Sequence, residues 1–171
     1  LLRRDLDVLV SMLRNVHPGA DLALTTNGVI LERHAERLLK AGLNRVTVSM
    51  DALNPSVYSA MGDVEHGPEA TLLGIEKALR IGLGVKVNCV VRAGVNEGEM
   101  LPLLQYFGPR NVPVRFIEFM DVGATNQWAL EEVVTSKNVR RIIAEQLGEV
   151  VPMDPTAFGE VARRWQTPQG W

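Results

Sequence analysis

The chain has 171 residues, 46% of them hydrophobic and 22% charged, with a formal net charge of −2 at pH 7. That is enough for one domain with a sizeable core, and the weak charge gives no reason to expect nucleic acid or a membrane surface as a partner. No apolar run approaches the roughly 20 residues a membrane helix needs. The single cysteine, Cys89, excludes a disulfide framework and fits a reducing compartment, so the cytoplasm is the expected location.

The sequence opens Leu1-Leu2-Arg3-Arg4, with no initiator methionine and no signal-peptide pattern. It stops at Pro168-Gln169-Gly170-Trp171, where a turn leads onward. Both ends predict an internal piece of a longer protein. Val8, Leu9, Met12 and Leu13 at helical spacing predict a first helix over residues 6–16, stopped by His17-Pro18-Gly19. A strand over residues 22–26 follows, closed by Asn27-Gly28. A helix over residues 32–40 ends at Gly42, well placed as a C-cap. Next comes the strand Arg45 to Asp51. Asn54-Pro55-Ser56 opens a short helix, and a loop over residues 62–68 leads to a helix over residues 69–81. The third strand covers residues 85–91, with a helix near residues 99–107 after it. The fourth covers residues 114–120. Beyond Gly123 the pattern weakens until Thr135 or Ser136 caps a last helix running to about Leu147. The remainder reads as extended segments and turns.

Strands alternating with helices predict βαβ units and a parallel sheet with right-handed crossovers. Side chains alternate across a strand, so each strand has two faces. One face is mostly Leu, Val, Ile and Phe. The other carries Thr25 and Asn27, then Thr47, Ser49 and Asp51, then Lys86 and Asn88, then Glu118 and Met120. A doubly wound sheet is covered on both sides and reads apolar on both. In a barrel one face looks inward, and sites gather at the C-terminal ends of the strands. The polar face therefore predicts a barrel or partial barrel with a site at that mouth. The competing reading is that these groups satisfy one another in a plain core, but a buried unpartnered lysine would be costly.

TTNG (Thr25 to Gly28), VTVSMD (Val46 to Asp51), VKVNCVV (Val85 to Val91) and RFIEFMDVG (Arg115 to Gly123, with Asn126 and Trp128 after it) occur in this order and closely resemble the central part of the GTP 3′,8-cyclase family. These are radical S-adenosylmethionine enzymes that begin molybdenum-cofactor biosynthesis. The resemblance implies an α/β fold, part of a (β/α)6 partial TIM-type barrel. Residues 1–123 would supply its last four strands, and residues 124–171 the last helix and the start of a C-terminal covering segment.

By position, the resemblance implies that Ser49 and Met120 contact S-adenosylmethionine and that Thr25 and Lys86 contact GTP. Asn27, Asn88 and Glu118 would support them. The side chains suit these roles. A hydroxyl can hold the methionyl group, a soft thioether packs on adenine, and an ammonium meets triphosphate oxygens. The implied parent is a lyase that converts GTP to (8S)-3′,8-cyclo-7,8-dihydroguanosine 5′-triphosphate with S-adenosylmethionine and two [4Fe-4S] clusters. GTP is its partner, with no nucleic acid and no membrane, and a homodimer is an arrangement it allows. The family's CxxxCxxC loop, GGEP motif and C-terminal three-cysteine set do not occur here. A cluster needs a set of thiolates, so the resemblance implies no metal ligand, no catalytic residue and no activity in this chain alone.

Other readings stay open beside it. Cys89, within an apolar strand, reads as a buried core residue. His17, His34 and His66 read as surface residues, residues 137–141 as a solvated helix face, and Trp128, Trp165 and Trp171 as covering-segment packing. A different enzyme class would use Lys86 as a Schiff-base lysine in an aldolase-type barrel. A non-enzymatic reading keeps the barrel half as a cofactor-binding or scaffold domain without a cluster.

Overall fold

A computed structural model of the protein describes residues 3–120, 129–155 and 162–171. Asn126 and Trp128 lie outside the described residues. In chain order the elements are α1 (Leu6–Val16), β1 (Ala23–Thr26), α2 (Leu31–Lys40), β2 (Arg45–Ser49), α3 (Pro55–Gly62), α4 (Glu69–Arg80), β3 (Gly84–Val91), α5 (Met100–Phe107), β4 (Val114–Glu118), α6 (Ser136–Leu147), β5 (Val151–Met153) and β6 (Arg164–Gln166). Strands β1 to β4 form one sheet in the order β1-β2-β3-β4, and β5 pairs with β6 in a second sheet. The α/β fold and its parallel sheet are those expected of a partial TIM-type barrel, and the sheet is open rather than closed among the described residues. Among those residues no helix is long and apolar enough to cross a membrane.

The chain divides into two compact units, Leu1–Cys89 and Val90–Trp171, with the division inside β3. In the first unit, β2 pairs in parallel with β1 on one side and β3 on the other. Val46, Val48 and Met50 are fully buried, as are Val87 and Cys89, with Val85 8% exposed. These residues alternate with the polar ones, so the apolar face of the sheet is the packed one. Each buried valine there contributes roughly 1.5–3 kcal/mol relative to exposure. Leu31, Ala35 and Leu38 of α2 and Ile75 and Ala78 of α4 are also buried, at helical spacing.

Local chemistry sets the helix ends. Asn54 caps α3: its side-chain oxygen accepts the Ser56 and Val57 N–H groups, and Pro55 occupies the first helical position. α2 closes in a Schellman motif, with Gly42 N–H donating to Leu39 C=O and Leu43 N–H to Leu38 C=O, and with Gly42 at φ +99°. Arg14 of α1 ties the unit together. Its guanidinium donates to the carbonyls of Pro18, Ala20 and Gly42, each at 2.7 Å.

Helix α4 is held against the loop after β1 by a close backbone approach. Gly28, just after β1, has φ +80°. Gly74 of α4 lies so near it that a Cβ at position 74 would sit 2.7 Å from the Gly28 carbonyl oxygen and 2.9 Å from the Leu31 Cβ. Two residues without side chains therefore let α4 lie directly on the loop that leaves β1.

In the second unit, α5 buries Met100, Leu103, Leu104 and Phe107. Thr135, one of the two expected caps, accepts the Asn138 N–H at the start of α6. β5 and β6 run antiparallel, with Pro152 opposite Trp165, and the Arg140 guanidinium lies 4.5 Å from the Trp165 ring centre. This pairing inside the expected run of extended segments and turns is an addition to the sequence reading. Strands β1, β2 and β4 are shorter than expected, because ladder pairing rather than apolar pattern ends them.

Candidate functional site

The sheet register lines up the polar residues of the first unit. Thr25 of β1 is opposite Thr47 of β2, and Thr47 is opposite Lys86 of β3. Partners in register lie on the same face, so these three side chains form one row. Neighbouring strands are about 4.8 Å apart, so the row extends across about 10 Å. One step toward the strand ends, Ser49 is opposite Asn88 and starts a second row. The Met50 N–H donates to the Asn88 carbonyl at 2.8 Å, which prolongs the pairing one residue past β2.

Thr25, Asn27 and Ser49 are exposed, while Thr47, Lys86, Asn88 and Asp51 are half-buried. The Asn88 side-chain oxygen is buried and has no hydrogen-bond partner among the described residues. A buried acceptor left unpaired costs free energy. A ligand that donates a hydrogen bond at that place would relieve the cost. Lys86 makes no salt bridge among the described residues, so its ammonium is available to an anion. The site therefore offers hydroxyls, one orphaned carbonyl oxygen and one cation on a single face. That set is chemically suited to a polar, anionic small molecule.

The other expected residues stand as follows. Asn27 follows β1, and its side-chain oxygen accepts the Val29 N–H at 3.3 Å, shaping the turn. Glu118 ends β4 in the second unit. Its carboxylate accepts the Ser136 N–H at 2.6 Å, at the positive end of α6. Met120 is 58% exposed. Cys89 is fully buried on the packed face, with its thiol toward the Asp51 carbonyl at 3.7 Å, as a core cysteine should be. Among the described residues no group of three or more His, Cys, Asp or Glu could hold a metal ion.

Sequence reasoning passed over the groups that hold the β1 end in shape. The Thr71 hydroxyl of α4 donates to the Asn27 carbonyl at 2.9 Å and meets the Tyr58 hydroxyl of α3 at 3.0 Å. The Thr26 hydroxyl accepts the Gly28 N–H at 3.0 Å. One signal was present: Gly74 interrupts an otherwise apolar helical pattern, which marks a close approach.

Comparison with known proteins gives the family and the fold. A family model described as the radical SAM superfamily matches residues 1–107. The chain is 41% identical over 166 residues to the GTP 3′,8-cyclases of Staphylococcus aureus strains bovine RF122 / ET3-1 and JH9. Each match takes in 97% of this chain and 48% of the relative, so the chain spans about half the length of the curated relatives it matches. A solved structure of TYW1 with a lysine-pyruvate adduct bound has the same fold, with a TM-score of 0.61 at 15% identity. That likeness covers 91% of this chain and 49% of the TYW1 chain.

Proposed function

Because the chain belongs to the radical SAM superfamily, we propose that it is the central part of a GTP 3′,8-cyclase, a lyase of molybdenum-cofactor biosynthesis that rearranges GTP to (8S)-3′,8-cyclo-7,8-dihydroguanosine 5′-triphosphate. The observation that carries this reading is the row Thr25–Thr47–Lys86 with Ser49 and Asn88 beside it, on one face of the sheet. A cation and two hydroxyls in line suit a phosphate chain, and the similarity to GTP 3′,8-cyclases supports a nucleotide triphosphate as the ligand.

Lys86 neutralises phosphate oxygens and Thr25 adds a short hydrogen bond beside it. Ser49 holds the methionyl end of S-adenosylmethionine, and Met120 packs its thioether on the adenine. The residues present fit that cofactor: Ser49 is exposed, and the orphaned Asn88 oxygen wants a donor such as an ammonium or a ribose hydroxyl. S-adenosylmethionine supplies the radical that starts the reaction. The residues of this chain bind and orient; none of them carries the proton or radical chemistry. Cys89 does not fit an iron–sulfur cluster. It is a single thiol buried on the opposite face, and a cluster needs several. Both [4Fe-4S] clusters then belong to other parts of the full-length protein, and this chain by itself is inactive. The domain reading of residues 1–123 as barrel and 124–171 as the beginning of a cover, a cytoplasmic location, and a homodimeric parent complete the proposal.

A second reading has Lys86 in its favour as well, as a Schiff-base lysine. One experiment separates the two. The anaerobically purified full-length protein is incubated with GTP and S-adenosylmethionine, and the products are separated and identified. Formation of 5′-deoxyadenosine with a cyclised nucleotide supports the cyclase. No nucleotide product, together with borohydride trapping of a carbonyl compound on Lys86, overturns it.

A further inference from the structure

Thr71 has one hydroxyl hydrogen, and it goes to the Asn27 carbonyl. The Tyr58 hydroxyl must then be the donor in its contact with Thr71. The chain runs one way: Tyr58 to Thr71 to Asn27. It links α3 and α4 to the backbone just past β1. Its two hydroxyl-bearing members are sheltered, with Thr71 fully buried and Tyr58 8% exposed. In a dry setting such a chain polarises along its length and holds its acceptor firmly. The held acceptor is the main-chain carbonyl between Thr25 and the positive-φ turn at Gly28. Thr26 fixes the same turn from the other side, through its bond from Gly28 N–H. The direction of Thr25 and Asn27 at the site is therefore set from behind, by two sheltered hydroxyls of α3 and α4.

We propose that Tyr58 and Thr71 are positioning residues that fix the end of β1 for nucleotide binding. This rests on the reading of Thr25 and Lys86 as the GTP-binding pair. The two residues act on Thr25 through the Asn27 carbonyl, and leave the Ser49 end of the site alone.

The test uses the full-length protein, purified anaerobically, as wild type and as Thr71→Val, Thr71→Ser, Tyr58→Phe and Lys86→Ala. GTP and S-adenosylmethionine affinities are measured separately by equilibrium dialysis, well below each variant's thermal midpoint. Thr71→Val keeps the shape and removes the donor, and it is expected to weaken GTP binding about tenfold, as one lost buried hydrogen bond does. Its S-adenosylmethionine affinity stays within about twofold of wild type, because a local change at β1 does not reach Ser49. Thr71→Ser restores GTP affinity. A general structural role would shift both ligands together, which overturns the proposal. Should Thr71→Val fail to fold, Tyr58→Phe decides, since it removes one hydroxyl: GTP affinity at the wild-type level overturns the proposal. If Lys86→Ala weakens GTP binding while the Thr71 and Tyr58 variants do not, positioning fails and the nucleotide reading stands. If Lys86→Ala binds GTP as wild type does, the nucleotide reading fails and takes the positioning role with it.

Discussion

A lysine held half-buried on a sheet, making no salt bridge among the described residues, attracts an anion. Loss of a charge-assisted hydrogen bond costs about 1.5–3 kcal/mol, so Lys86→Ala in the full-length protein is expected to weaken GTP binding by about 10- to 100-fold. The measurement is a GTP titration, and an unchanged affinity removes Lys86 from the site. Ser49→Ala, which removes a neutral partner, is expected to raise the dissociation constant for S-adenosylmethionine by about 3- to 10-fold and to leave GTP binding as it is. A GTP effect equal to the S-adenosylmethionine effect would contradict the division of roles between the two rows. The residue types at this site were legible from alternation alone. Their alignment was not. That Thr25, Thr47 and Lys86 share a row depends on register, and register is fixed by pairing between distant segments.

At the scale of elements, the chain was readable wherever chemistry is local. The Asn54-Pro55 start of α3, the Gly42 end of α2 and the Thr135 cap of α6 are written in a few adjacent residues. The β5–β6 pairing was not readable, and of the Tyr58–Thr71–Asn27 chain only the close approach marked by Gly74 was, since each joins residues far apart in the sequence. Asn54→Ala is expected to destabilise the fold by about 1 kcal/mol, seen as a lower denaturation midpoint with an unchanged slope. No change would mean that Pro55 alone starts the helix. On the outer surfaces of α2 and α4, the Lys77 ammonium bonds the Glu36 carboxylate and holds its pKa below the usual carboxylate range, with the charge attraction of the same lysine adding to it. A depressed carboxylate stabilises the fold above its unfolded pKa, and that stability fades as pH falls through the lower folded value. The pair is exposed, so the effect on stability is small. Lys77→Met is expected to move the Glu36 titration upward, as followed by NMR of its side chain.

Whole-molecule behaviour follows from what is left uncovered. Val8, Met12, Leu13 and Val16 of α1 are between 44% and 70% exposed, and β1 stands at the edge of its sheet. An apolar helix face and a free strand edge both invite association. The 171-residue chain expressed alone is expected to self-associate, with an average mass by light scattering that rises with concentration. A sharp monomer at high concentration would mean that these surfaces are too small or too well solvated to pair.

The approach of α4 to the Gly28 carbonyl has a meaning for sequence drift. A crowded side chain can be trimmed by a second change on the other partner, so a tight pair of side chains can wander together through many combinations. Here the obstacle facing position 74 is a main-chain oxygen, which every amino acid carries. That nearest atom cannot be made smaller. Position 74 has no compensating partner, and in a library selected for function it should stay glycine while the apolar positions around it exchange freely.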